Sequence, residues 1–146
     1  PRSFGTIVAQ VVEVEIVDGK AIARRAVCAV DAGFAMHPDG MKAQMESGII
    51  YGLTAALYSN ITIRRGAVAQ SNFHDYPMLR IDESPEIETH IINSGERLGG
   101  AGEPGTPAIA PALANAIFDA TGKRIRELPV SLHDLSSEDL GSRDVA

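Results

Sequence analysis

The stretch TIVAQVVEVEIVDGKAIARRAVCAV, Thr6–Val30, decides how this chain folds. Both halves are rich in β-branched residues, and Asp18-Gly19 between them is a strong two-residue turn signal, so the stretch reads as a β-hairpin. Val12, Val14 and Ile16 alternate with Glu13 and Glu15, which turns one face to water and the other to a core. Before it stands only PRSFG, with no initiator Met. The chain is therefore expected to be either processed or a fragment of a longer one.

After the hairpin, DAGFAMHPDG is a loop by its Gly, Pro and Asp content. From about Asp39 to Tyr58 the period becomes helical, with Met41, Met45, Ile49, Leu53 and Leu57 in one apolar stripe. Gly48 and Gly52 lie on this helix, where each costs ~1 kcal/mol relative to Ala; close approach of another backbone would explain both. A second hairpin, NITIRRGAVAQ, turns near Arg65-Gly66. An irregular polar and aromatic stretch, SNFHDYPMLRIDESP, leads to the strand EIETHIINS, with Ile87, Thr89 and Ile91 on one side. A glycine-rich loop then opens a helix from about Pro107 to Ala120. Thr106 is placed to cap it, Pro107 suits its first position, Pro111 falls in or just after the first turn, and Gly122 ends it. A short strand is expected around RELPVS, and residues 134–146 form a polar tail expected to fray. The order ββ-α-ββ-β-α-β predicts an α+β domain over residues 1–133, with mostly antiparallel strands and two main helices.

With 146 residues the chain fits one domain with a modest core. A net charge of −6 and no basic stripe argue against nucleic-acid binding. Arg24-Arg25, Arg64-Arg65 and Lys123-Arg124-Arg126 read as solvated surface charge. Cys28, the single cysteine, allows no internal disulfide, argues against a structural zinc site, and sits in an apolar run as a small hydrophobe. No apolar run approaches the ~20 residues that span a bilayer, and no signal-peptide pattern appears.

Glu103 carries the most chemistry. The glycines around it, in LGGAGEPG, resemble an anion cradle at a helix start, yet the loop places a negative charge at its own centre. It reads either as an acid that helps a helix N-terminus or as a general base on a loop that lets a bulky group come close. His37, His74, His90 and His133 lack the spacing of a metal pair, so no metal-ligating set is identified. His74-Asp75 could line a pocket, but satisfied loop polars are the simpler reading. Gln44 and Glu46, by spacing alone, are exposed helix polars. GGAGEPG lacks the Lys-Ser/Thr of a phosphate-binding P-loop.

Three segments together carry a resemblance: VDAGFAMHPDGMKAQMESGIIYGL, QSNFHDYPMLR and GGAGEPGTPAIAPALANAIFDATGKRIRELP. In this order they resemble the molybdopterin-binding large subunit of the molybdenum hydroxylases, the xanthine dehydrogenase and aldehyde oxidoreductase family. Within it they are similar to the isoquinoline 1-oxidoreductase β-subunit and related membrane-associated aldehyde dehydrogenases. The resemblance covers about Gly5 to Val130 and implies the C-terminal part of a much longer subunit. It implies a molybdenum–molybdopterin cofactor in the cytosine dinucleotide form, with [2Fe–2S] clusters on a separate small subunit. It further implies hydroxylation of an N-heteroaromatic ring or an aldehyde by a water-derived Mo–OH, with hydride passing to Mo=S. The family's GEP glutamate, which takes the Mo–OH proton, falls on Glu103, with Gly102 before it. The family's cofactor-bonding glutamine falls on Gln44. Two positions depart: His37 stands where the family has Asn, and Ala32 where it often has Cys. The upstream part of the same subunit and an iron–sulfur subunit are the implied partners, and without them the chain is expected to turn over no substrate.

Two other readings follow from the same residues. One is a stand-alone module that binds an anion or nucleotide at the glycine loop, against which the charge of Glu103 argues. The other is a structural assembly domain in which the Gly48/Gly52 face and other apolar surface only pack against a partner.

Overall fold

In the structure, a computed structural model describing residues 1–136, the opening hairpin is the frame. β1 (Arg2–Ser3), β2 (Thr6–Val17) and β3 (Lys20–Asp31) form an antiparallel meander. Asp18 and Gly19 take φ of 49° and 72°, the left-handed pair a two-residue hairpin turn requires. Phe4 and Gly5, at 53° and 82°, make the same turn between β1 and β2. The sequence concealed that one, because Phe is not a turn-forming residue.

The inward side of β2 carries Thr6, Val8, Gln10 and Val12, followed by partly buried Val14 and Ile16. Glu13 and Glu15 face out, as the alternation predicts. A bulge leaves Arg24 without a partner, since Glu13 pairs with Arg25 and Val14 with Ala23. Buried positions on β3 therefore switch from Ala21 and Ala23 to Ala26, Cys28 and Val30.

α1 (Pro38–Leu57) begins one residue before the predicted start. The predicted stripe is the buried side: Met45, Ile49 and Leu53 are wholly enclosed, Leu57 is buried and Met41 partly so. β4 (Ile63–Arg64) and β5 (Ala67–Val68) form the small second hairpin around Arg65-Gly66. β6 (Glu86–Ile92) then joins the main sheet beside β3, giving the order β1-β2-β3-β6. This pairing is parallel, from Arg25 with Glu86 to Asp31 with Ile92. The sheet is thus mixed, with mostly antiparallel pairs, and both helices lie on its inward side.

α2 (Ile109–Thr121) starts two residues later than predicted, and Thr106 does not cap it. The residue before the helix is Ala108, with no side-chain bond, while Thr106 packs against the glycines of α1. Pro111 falls in the first turn, where its missing N–H has no intrahelical partner to lose. Gly122, at φ 71°, closes the helix with its N–H donating to Phe118 O at 2.7 Å, as predicted. Ile109, Leu113 and Ile117 complete the core between sheet and α1.

The strand expected around RELPVS is absent: residues 126–129 are irregular and Val130–Leu132 form one 3₁₀ turn. Pro129 has no N–H to give a ladder, and Val130 is buried. Leu135 is also buried, with its amide donating to Gly19 O at 2.9 Å. The chain is therefore packed through the start of the stretch read as a tail, and residues 137–146 lie outside the described residues. The core is one layer of sheet under two helices, an α+β arrangement.

Candidate active site at the glycine loop

β6 delivers the chain to the loop of residues 93–108, and the segment after β3 and the β1–β2 turn hold that loop. Asn93 Oδ1 accepts from the Ala35 amide at 2.9 Å, and the Gly95 amide donates to Gly33 O at 3.0 Å. The Asp31 carboxylate accepts from the Gly33 amide at 2.9 Å and the Ser94 hydroxyl at 2.8 Å, which holds it below the usual carboxylate range. Farther along, the Gly99 amide donates to Ala32 O at 3.0 Å and the Gly100 amide to Phe4 O at 2.9 Å. A turn follows, closed by the Thr106 amide donating to Glu103 O at 2.9 Å.

The glycines of α1 explain how the far end of the loop sits. A Cβ on Gly48 would lie 3.2 Å from Thr106 N, and one on Gly52 2.9 Å from Thr106 O. The expected close backbone approach is therefore real and comes from within the chain. Gly105 is pressed the same way, since its Cβ would lie 3.0 Å from Met45 O. Pro104 and Gly105 are buried, whereas Gly102 and Glu103 are exposed. Glu103 thus stands exposed at the edge of a well-packed base.

A cavity of about 520 Å³ opens beside it, with Glu103, Gly102, Ser3, Phe4, Ser47 and Tyr51 in its wall. Gln44, exposed on α1, lies next to Gly102: its Nε2 is 3.6 Å from where a Gly102 Cβ would be. Three residues singled out in the sequence, Gln44, Gly102 and Glu103, are thus neighbours. The flanking aromatics Phe4 and Tyr51 were not singled out, because nothing in their local sequence ties them to the loop.

The histidines are elsewhere occupied. His37 caps α1, its Nδ1 accepting from the Gly40 amide at 2.7 Å, so the proton of the neutral ring sits on Nε2. His90 Nε2 lies 2.8 Å from Glu88 Oε1 on the outward face, His74 is 3.7 Å from Asp75, and His133 Nε2 is 2.9 Å from Glu127 O. Among the described residues no group of three His, Cys, Asp or Glu side chains could hold a metal ion. Cys28 is wholly enclosed, and burial pushes its thiol pKa up, as befits a core residue.

Two polar side chains that the sequence did not single out also touch the loop. Thr6 Oγ1 donates to Gly100 O at 2.7 Å, and Gln10 Nε2 donates to Gly105 O at 2.8 Å. The signal available was their register: both fall on the inward, otherwise apolar side of β2.

The wall offers an exposed carboxylate and backbone bared by Gly102, with the Gln44 amide next to that glycine, a set that suits a bulky polar group. Comparison with known proteins gives the family of the chain. A family model described as "Molybdopterin cofactor-binding domain" matches residues 2–85. Isoquinoline 1-oxidoreductase subunit beta of Brevundimonas diminuta is 43% identical over 106 residues, which is 73% of this chain and 14% of that protein. A membrane-bound aldehyde dehydrogenase (pyrroloquinoline-quinone) of Gluconacetobacter polyoxogenes is 40% identical over 124 residues, 85% of this chain and 16% of that one. Among solved structures, the aldehyde oxidoreductase of Desulfovibrio desulfuricans ATCC 27774 superposes with a TM-score of 0.71 at 26% identity, covering 85% of this chain and 14% of its own. The chain therefore spans under one fifth of the length of these relatives. It belongs to the molybdenum hydroxylase family, within the molybdopterin cofactor-binding domain.

Proposed function

We propose that this chain forms the base-bearing wall of a molybdenum hydroxylase active site, with Glu103 as the general base. The observation that carries the reading is the cluster at the cavity: an exposed carboxylate on a packed loop, with the Gln44 amide beside Gly102. When bound, a molybdenum–molybdopterin group supplies the activated water oxygen and accepts the electron pair. The chain's own part is proton transfer and placement. Ionised Glu103 accepts one proton at a carboxylate oxygen as an electron-poor carbon of the substrate is attacked. The Gln44 amide and the Gly102 backbone would border the bound cofactor and help to hold its orientation. Gly102 leaves room for it, since no side chain projects there.

The substrate class is an N-heteroaromatic ring or an aldehyde, by analogy with the relatives' names. The cofactor is read as the cytosine dinucleotide form, and the electrons leave through [2Fe–2S] clusters on a partner subunit. The remaining cofactor contacts come from the upstream part of the same subunit, so this chain alone turns over no substrate.

The anion-module alternative loses support from the loop itself. The Gly99, Gly100 and Thr106 amides already donate to protein carbonyls and are not free to cradle a phosphate. The assembly-domain alternative loses the Gly48/Gly52 face, which is filled by residues 105–109 of the same chain.

Glu103→Gln in the complete enzyme tests the proposal. The expected result is a fall in kcat of about a hundredfold or more with molybdenum content unchanged. Near-normal turnover in that variant would sink it.

A further inference from the structure

We infer that Thr6 and Gln10 form a two-point clamp that sets the position of Glu103, making both positioning residues for the reaction proposed above, on which this inference rests. A loop containing Gly99, Gly100, Gly102 and Gly105 has far more backbone freedom than one with side chains at those positions. A general base needs the opposite, since its carboxylate must meet a particular proton within a fraction of an ångström. Something outside the loop has to supply the rigidity.

β2 supplies it. The strand pairs with β3 from Ile7 to Val17, across Gln10, and with β1 at Thr6 and Ile7, so both clamp points sit on hydrogen-bonded sheet. Thr6 and Gln10 are four residues apart and therefore share a face, ~13 Å from one another along the strand. Thr6 is wholly buried and donates Oγ1 to Gly100 O; Gln10, half-buried, donates Nε2 to Gly105 O. The two carbonyls bracket Ala101 to Pro104, the segment that carries Glu103. Five residues reach at most ~17 Å when extended. Part of that length is consumed by the turn between Glu103 O and the Thr106 amide, so little slack remains.

The side chains are also out of keeping with their surroundings. The inward face of β2 is otherwise Val8, Val12, Val14 and Ile16. Gln10 Oε1 is buried with no hydrogen-bond partner among the described residues, a penalty an apolar residue would avoid. Its Nε2 makes one short bond, to the loop, and a longer contact of 3.8 Å to Cys28 Sγ. Gly99 completes the fit, because a Cβ there would collide with Thr6 Oγ1.

The test uses Gln10→Leu and Thr6→Val in the complete enzyme, two near-isosteric changes that remove the donors. Backbone hydrogen exchange across residues 99–106 is expected to quicken about tenfold or more in each, with the β2–β3 hairpin unchanged. In parallel kcat falls about tenfold or more while KM stays near the wild-type value. Thr6→Ser, which keeps the hydroxyl, restores both. Combining either change with Glu103→Gln adds no further loss. Unchanged loop exchange, or faster loop exchange with kcat intact, would overturn the inference. Faster exchange across the whole chain would also overturn it, by assigning the two side chains to general stability. If Glu103→Gln keeps its turnover, the base reading fails, and loop exchange still decides whether the clamp holds the loop.

Discussion

Tyr58 shows how a single side chain records its surroundings. It stands at the end of α1 and donates its hydroxyl to Glu83 Oε1 at 2.8 Å. Burial first, and then the Glu83 carboxylate, push its pKa up to about 12. The folded state thus holds this proton more tightly than the unfolded chain, whose tyrosines ionise near ~10. The stabilisation is complete below that value and is lost as pH rises through about 12. A difference absorbance titration against Tyr58→Phe is expected to show a tyrosinate appearing near 12; appearance near ~10 would remove the Tyr58–Glu83 contact. Residues differ in how readable they were. Glu103 and Gln44 could be singled out because each lies in a contiguous segment that resembles a family. Their adjacency was not, since it depends on how tightly Gly48 and Gly52 let the loop approach α1. Thr6 and Gln10 were silent because the bonds that matter run to carbonyls some ninety residues away.

At the scale of elements, local signals were read well and non-local ones were not. The hairpin of β2 and β3 declared itself through Asp18-Gly19, and α1 through a four-residue repeat that is wholly enclosed at Met45, Ile49 and Leu53. The start of α2 was misread because Thr106 has the chemistry of a cap but is engaged against α1. The strand expected at RELPVS failed at Pro129, and the parallel seat of β6 beside β3 has no turn to announce it. Gly52 gives this scale its prediction. Helix propensity alone favours Ala there by ~1 kcal/mol. Yet a Cβ would collide with Ile109 Cγ2 and lie 2.9 Å from Thr106 O. Backbone cannot retreat cheaply, so the overpacking cost of ~1–3 kcal/mol prevails. Gly52→Ala is therefore expected to lower the urea midpoint, and Gly48→Ala, with a nearest contact of 3.2 Å, to lower it less. A higher midpoint for Gly52→Ala would mean that the helix and loop are not in contact.

The whole molecule is poised for acid sensitivity. Asp31 is held below the ordinary carboxylate range by the Gly33 amide, Asp75 by the Asn72 and Ser71 amides, Glu88 by Arg25, and Asp134 by the Ser136 hydroxyl and amide. A lowered folded-state pKa stabilises above the unfolded value and fails as pH falls through the folded one. The melting temperature is thus expected to stay level from neutrality to ~pH 5 and to fall below ~pH 4, as calorimetry would record. A melting temperature that rises on acidification would contradict these contacts. The parallel seat of β6 has one more consequence, and it concerns the order of events in time. Hairpin and α1 close through near neighbours in sequence, whereas Arg25 must find Glu86 across a long intervening chain. Long loops close late, because their entropy is lost before any contact is gained. Glu103 stands between β6 and α2, whose Ile109, Leu113 and Ile117 complete the core, so its loop is expected to settle only with this late, long-range half of the core, after the hairpin and α1 have formed.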